Sequence, residues 1–156
     1  MSSATERVLE ALQARGLAAE ITEFPQSTRT AAEAAAAVGT SVAQIVKSLV
    51  FLADGRPVLV LASGANRVDP VKLAAACGAH SARRADAETV RAVTGFAIGG
   101  VPPVGHATPL PVILDRDLLR YEVVYAAAGT PHAVFPIAPD RLREITGAAV
   151  ADIKET

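Results

Sequence analysis

Apolar positions recur at helical spacing from the start of the chain. Val8 and Leu12 are four apart, Ser3 and Glu6 have capping-box spacing, and Gly16 stands where a helix would end. Residues 18–24 alternate weakly and predict a strand stopped by Pro25. Thr30 with Glu33 predicts a capped, alanine-rich helix ending at Gly39, and Ser41 with Gln44 predicts a short helix running into Lys47. Two apolar runs, 48–53 and 57–62, then flank Asp54-Gly55, the signature of a tight hairpin. Their near-continuous apolarity predicts central strands covered on both faces. Asp69-Pro70 and Asp86 start helices that reach Cys77 and Thr94. Residues 95–111 break the pattern, because four glycines and four prolines in 17 residues exclude a regular helix or a central strand. Strands are predicted over 111–115, 121–127 and 132–137, followed by a helix from Pro139 to Gly147 and a short strand over 148–153. Helices interleaved with hairpin strands predict an α/β (α+β) fold, a mixed and mostly antiparallel β-sheet flanked by helices.

Composition narrows this picture. The 156 residues predict a single domain over 1–156. Hydrophobic residues make up 51%, which excludes wholesale disorder, but 33 of them are alanines and aromatics are only 4%. The core must therefore be built from Val, Leu, Ile and Ala. The net charge of −1 argues against a protein that coats nucleic acid by bulk electrostatics. It leaves room for a local basic patch. Arg67, Lys72, Arg83, Arg84 and Arg91 outnumber the acids between residues 67 and 91, which reads either as a solvated face or as a surface for phosphates. The single cysteine, Cys77, allows no internal disulfide and no cysteine-based zinc site, and it fits a cytoplasmic setting. The three histidines match no metal spacing, so no metal is expected. No secretory leader or membrane-spanning run is seen.

Two features carry candidate chemistry. Lys47 stands where a short helix meets an apolar strand, Ile45-Val46-Lys47-Ser48-Leu49-Val50. A lysine there either snorkels to solvent from the strand end or sits at the mouth of an apolar pocket, where it can bind an anion. The second feature is the Gly/Pro loop. Gly99, Gly100 and Gly105 permit close backbone approach, so the loop reads either as a connection or as a nest of N–H groups around one oxygen. It is neither a Walker loop nor a dinucleotide fingerprint. His132, after Gly129-Thr130-Pro131, is a candidate general base, substrate hydrogen-bonder or turn residue. No serine sits in a Gly-x-Ser-x-Gly elbow.

Three segments, in order, resemble the YbaK/ProX family of aminoacyl-tRNA editing domains, a fold type also inserted in some bacterial prolyl-tRNA synthetases. They are Ile45-Val46-Lys47-Ser48-Leu49-Val50, the loop Thr94-Gly95-Phe96-Ala97-Ile98-Gly99-Gly100-Val101-Pro102-Pro103-Val104-Gly105, and Ile137-Ala138-Pro139-Asp140-Arg141-Leu142 with Gly147 and Ala151-Asp152-Ile153. The resemblance implies a hydrolase without cofactor that cleaves the ester of mischarged tRNA. The expected substrates are tRNA(Pro)-type molecules carrying a small amino acid such as Ala, Ser, Thr or Cys. The expected partners are the aminoacyl-tRNA 3′ end and an aminoacyl-tRNA synthetase.

By position, the resemblance makes Lys47 the pocket lysine and Gly99 and Gly100 the backbone contacts to the aminoacyl carbonyl. Ser48, Phe24 and Thr30 fall where the family lines its pocket, and Gly105, Gly129 and His132 are further expected contacts. Two rival readings stand beside this one. The first is a non-catalytic module of the same fold that binds tRNA or a synthetase. The second is a small-molecule esterase using His132.

Overall fold

A computed structural model describes residues 1–156. Five α-helices are present: α1 (Ser3–Ala14), α2 (Ala31–Val38), α3 (Pro70–Cys77), α4 (Ala87–Thr94) and α5 (Pro139–Thr146). Eight strands accompany them: β1 (Thr22–Glu23), β2 (Val46–Ala53), β3 (Arg56–Ser63), β4 (Ala82–Arg84), β5 (Val112–Asp115), β6 (Val124–Ala127), β7 (Ala133–Ile137) and β8 (Ala149–Ala151). The strands form two sheets, not the one expected. A five-stranded sheet has the order β4-β2-β3-β5-β8 and a three-stranded sheet the order β1-β7-β6. β3–β5 and β5–β8 run parallel and the other pairs antiparallel, which gives the mixed, mostly antiparallel arrangement. No helix is long and apolar enough to cross a membrane.

Local chemistry explains most boundaries. Thr30 and Glu33 close a reciprocal capping box at α2, and Asp69 and Asp86 cap α3 and α4. The cap of α1 is Ser2, one residue earlier than expected, and its hydroxyl accepts from the Thr5 N–H at 3.1 Å. Ser41 makes no cap bond to backbone; its hydroxyl instead donates to the Gln44 side chain at 2.9 Å over a 3-10 turn, Val42–Gln44. Asp54 and Gly55 both take positive φ, 49° and 80°, as a type I′ hairpin turn requires. The strand predicted over 18–24 shrinks to two residues. Continuing its register would put Glu20 opposite Pro136, which has no N–H to donate, and Pro25 stops it on the other side.

β3 accounts for the continuous apolar run. Leu59 and Leu61 point into the space between the two sheets, a cluster shared with Val8 and Leu12 of α1, Leu114, Val124 and Phe135. Val58, Val60 and Ala62 point the other way, under Leu73 of α3 with Phe51, Ile113 and Ile153. Truncating a side chain such as Leu59, which is fully buried, costs about 2–5 kcal/mol.

The Gly/Pro loop after α4 is held from α1. The Arg7 guanidinium donates to the Gly95 carbonyl at 3.3 Å and lies 4.5 Å from the centre of the Phe96 ring. The Thr94 hydroxyl bridges the Val90 and Phe96 carbonyls and accepts from the Phe96 N–H. His106 Nε2 lies 2.7 Å from the Pro102 carbonyl, so the neutral Nε2–H tautomer donates there. Burial is the main cause holding the His106 imidazole below its ordinary value of 6.5; the Pro102 bond opposes this and Arg15 reinforces it.

A stability change with pH follows. The unfolded chain takes up this proton at higher pH than the folded one. His106 therefore contributes full stability above about 6.5 and loses it as pH falls toward the folded value. Thermal melts of wild type and His106→Gln, which keeps a donor but cannot titrate, should converge as pH is lowered from 7 to 5. Parallel curves would disprove the coupling.

Candidate functional site

The two sheets touch at one parallel bridge, between Ile45 and Tyr125, and diverge from it. β4 covers the outer edge of β2 only at Phe51–Ala53, with one further bond from the Ala85 N–H to the Val50 carbonyl. No ladder covers the earlier part of that edge, and a cavity of about 330 Å³ opens there. Its walls are β2 from Ile45 to Val50, β6 at Tyr125–Ala127, the start of α2, Ile98, Gly99 and Val101 of the Gly/Pro loop, and Arg84-Ala85.

Small side chains make this space. Ala34 and Ala35 bring α2 close against Ile45, and Ala126 and Ala127 leave room at β6. The alanine-rich composition thus shapes a pocket as well as filling a core.

The lining is mostly apolar, with three cations, Arg29, Lys47 and Arg84, and no carboxylate. None of the three forms an ion pair, although Lys72, Lys154, Arg116, Arg120 and Arg141 all do. Unpaired positive charge beside an apolar wall suits an anionic ligand with a small apolar part.

Lys47 is half-buried, and its Nζ donates to the Asn66 carbonyl. An ammonium has three donors, so two remain for a ligand. Burial holds its pKa below the usual lysine value, Arg84 and Arg67 push the same way, and Asp115 partly restores it. The snorkelling alternative for Lys47 is thereby set aside, since the head group is tethered within the fold. Ser48 follows at the same wall, and its Oγ is the one buried side-chain N or O atom without a hydrogen-bond partner.

Gly99 lines the cavity at φ +91°, and its N–H has no partner within the chain. A Cβ there would come within 2.5 Å of Arg29 Cγ, so the absence of a side chain lets the arginine stem lie across the loop. Thr30 also lines the cavity, with its hydroxyl engaged in the α2 cap.

The structure does not bring the remaining predicted residues to the cavity wall. The Gly100 N–H donates to the Ala97 carbonyl at 3.0 Å, so it is not free for a substrate carbonyl. Gly100 is needed for another reason, since a Cβ there would lie 2.8 Å from the Thr130 backbone. Gly105 and Gly129 seat α1, where added Cβ atoms would meet Ala11 Cβ at 3.1 Å and the Ala4 carbonyl oxygen at 2.8 Å. Phe24 lies along β7, its N–H on the His132 carbonyl at 2.7 Å. His132 is exposed, and its Nδ1 lies 3.0 Å from the Gln26 carbonyl, so it ties the 24–28 segment to the turn before β7. It has no nucleophile to activate at the cavity.

Arg29 and Tyr125 were not singled out in the sequence. Arg84 is visible in the sequence only as part of the basic 67–91 segment, and of that segment's cations it is the one that reaches the wall. No group of three His, Cys, Asp or Glu side chains stands together as a metal site.

Residues 25–145 match the family described as "Aminoacyl-tRNA editing domain". The chain is 34% identical over 128 residues to the uncharacterized protein YwhH of Bacillus subtilis, covering 81% of each. It is 26% identical over 125 residues to a "Putative Cys-tRNA(Pro)/Cys-tRNA(Cys) deacylase EbsC" of Enterococcus faecalis, covering 80% of this chain and 76% of that one. A solved structure described as a "putative trans-editing enzyme for prolyl tRNA synthetase" superposes with a TM-score of 0.94 at 54% identity, covering 100% of this chain and 99% of the other.

Proposed function

Because this chain belongs to the aminoacyl-tRNA editing domain family, we propose that it is a hydrolase acting in trans on mischarged tRNA. The substrate is a tRNA(Pro)-type molecule carrying a small amino acid such as Ala, Ser, Thr or Cys, within the cytoplasmic tRNA pool. A prolyl-tRNA synthetase is the partner this reading implies. The observation that carries the reading is the cavity itself, apolar, about 330 Å³, with three unpaired cations and no carboxylate. That volume is at the low end of ligand pockets, roughly 300–1,000 Å³, so it suits an aminoacyl group while the terminal nucleotide stays at the mouth. The phosphates then lie near Arg84 and Arg29.

The cavity lining contains no Asp, Glu, His or Cys to serve as a general base. Catalysis is therefore by positioning and electrostatics. Water attacks the ester carbonyl, and the neighbouring ribose hydroxyl of the tRNA assists in taking its proton. The carbonyl oxygen gathers negative charge beside the Gly99 N–H and the free donors of Lys47. The C–O bond to the ribose breaks, and the proton taken from the attacking water passes through the neighbouring ribose hydroxyl to the departing oxygen. Ser48 lies at the wall where its unpartnered hydroxyl can meet the aminoacyl group. Discrimination by size alone is worth only about 1–3 kcal/mol per methylene, so the pocket is expected to act on several small amino acids to different extents.

The experiment is hydrolysis of Ala-, Ser-, Thr- and Cys-charged tRNA(Pro), run beside tRNA binding. Turnover on at least one supports the deacylase. Binding without turnover on all four identifies the non-catalytic module instead. Hydrolysis of small esters without tRNA, lost in His132→Ala, would identify the esterase. Within the deacylase reading, Arg84→Ala should raise KM for tRNA about 3–10-fold with kcat unchanged, and should lower the slope of log affinity against log salt by about 1. An unchanged salt slope would remove Arg84 from the phosphate path.

A further inference from the structure

We propose that Asp115, acting through Asn66, is a positioning residue for the Lys47 ammonium. The inference rests on Lys47 being the site lysine.

Asp115 ends β5 beside the end of β3 and is only 1% exposed. One carboxylate oxygen serves the end of β3 and the segment after it, and the other serves the turn after β5. Its Oδ2 accepts from the Ser63 N–H at 3.0 Å and from Asn66 Nδ2 at 2.8 Å, and its Oδ1 accepts from the Asp117 N–H at 3.0 Å. The same Asn66 Nδ2 also donates to Asp117 Oδ2 at 3.0 Å, and Asp117 is held in turn by Lys154 at 2.9 Å and Arg120 at 3.4 Å. With its side chain gripped by two carboxylates, Asn66 presents its backbone carbonyl to Lys47 Nζ.

The segment is anchored from the opposite side as well. The Gly64 N–H donates to the Ile45 carbonyl at 2.8 Å, and the Ser63 hydroxyl donates to the Ala43 carbonyl at 2.8 Å. Gly64 has no room for a side chain, since a Cβ would lie 2.4 Å from the Val42 carbonyl oxygen. The turn carrying Asn66 is thus fastened to the residues immediately before Lys47. Its carbonyl and the lysine head keep a fixed relation.

The carboxylate has an electrostatic reason to be there. Lys47 lies under the influence of Arg84 from β4 and Arg67 from the turn itself, both of which favour losing its proton. Asp115 is the acid that opposes them; Asp117 faces Asn66 and is already paired with Lys154 and Arg120. A buried carboxylate is costly to keep. Here it holds both the place and the charge of a lysine that sits among like charges.

The test uses the full chain with Asp115→Asn and Asn66→Ala. Lys47 is followed by NMR titration of its side chain, assigned with Lys47→Arg, and by single-turnover hydrolysis of the best mischarged tRNA(Pro). In Asp115→Asn, Lys47 should titrate at lower pH than in wild type, and the alkaline limb of the pH–rate profile should move with it. In Asn66→Ala, which removes the grip without touching the core, the rate should fall about 10-fold with KM for tRNA unchanged. A purely structural Asp115 would lower Tm and rate without moving either titration. An unmoved Lys47 titration in Asp115→Asn, or an Asn66→Ala rate within twofold of wild type, would overturn the proposal. If Asp115→Asn does not fold, Asn66→Ala decides. A wild type that hydrolyses no mischarged tRNA refutes the deacylase reading, and the Lys47 titration then decides this proposal alone.

Discussion

Lys47→Ala should lower deacylation of the best mischarged tRNA about 100-fold or more. One donor to a developing oxyanion is worth about 2.7–4 kcal/mol, which corresponds to a loss of about 100-fold or more. The loss should fall mainly on kcat, because Arg84 and Arg29 remain to hold phosphates. Stability should hardly change. The lysine is half-buried with a depressed pKa, so its charged form is already penalised by the fold. Removing it forfeits the bond to Asn66 but also relieves that penalty. A single-turnover assay with a parallel thermal melt checks both halves. Equal loss of activity and Tm would mean that the lysine supports the fold instead of the chemistry.

Gly100→Ala should destabilise the folded state and lower activity with it. The new methyl would stand 2.8 Å from Thr130 Cα and C, which are backbone atoms that cannot swing aside. Overpacking of this kind costs about 1–3 kcal/mol, or roughly 2–4 °C in Tm for each kcal/mol in a chain of this size. Activity should fall with it, since the loop carrying Gly99 and the turn before β7 are pushed apart. Gly99→Ala is the contrasting variant. Its methyl would meet the Arg29 side chain, which can move, although the φ of +91° strains any L residue there. It should therefore lose activity while keeping more of its stability than Gly100→Ala. Identical melts for the two variants would contradict this division of roles.

That division shows what the sequence could and could not carry. Capping boxes, Asx caps and the Asp-Gly turn act between neighbours in the chain, so α2, α3, α4 and the β2–β3 hairpin were legible at once. β4 was missed because Ala82–Arg84 is a three-residue edge strand whose exposed arginines leave no alternation to read. The split into two sheets was also invisible, since it depends on where β2 and β6 diverge and not on any local pattern. At the site, Lys47 and Gly99 stand out because a cation or glycine in an apolar context is itself a signal, whereas Ser48 and Thr30 come only from the family resemblance; all four reach the cavity. Gly100, Gly105 and Gly129 gave the same signal for a different cause, close packing against Thr130 and α1. A glycine in a sequence marks a lack of room or an unusual φ, and only the fold shows whether a ligand or a neighbour fills the space. Arg29 gave no signal at all. It is one arginine in a polar stretch, and only the approach of α2 to the loop places it at the cavity.

The most direct test of the central claim is amino-acid release from Ala-, Ser-, Thr- and Cys-charged tRNA(Pro) with the protein at a tenth of the substrate concentration. The cavity at the β2 edge predicts several turnovers per protein on at least one substrate, reduced about 100-fold in Lys47→Ala. No release above the uncatalysed rate on any of the four, with the tRNA nevertheless bound, would contradict the account.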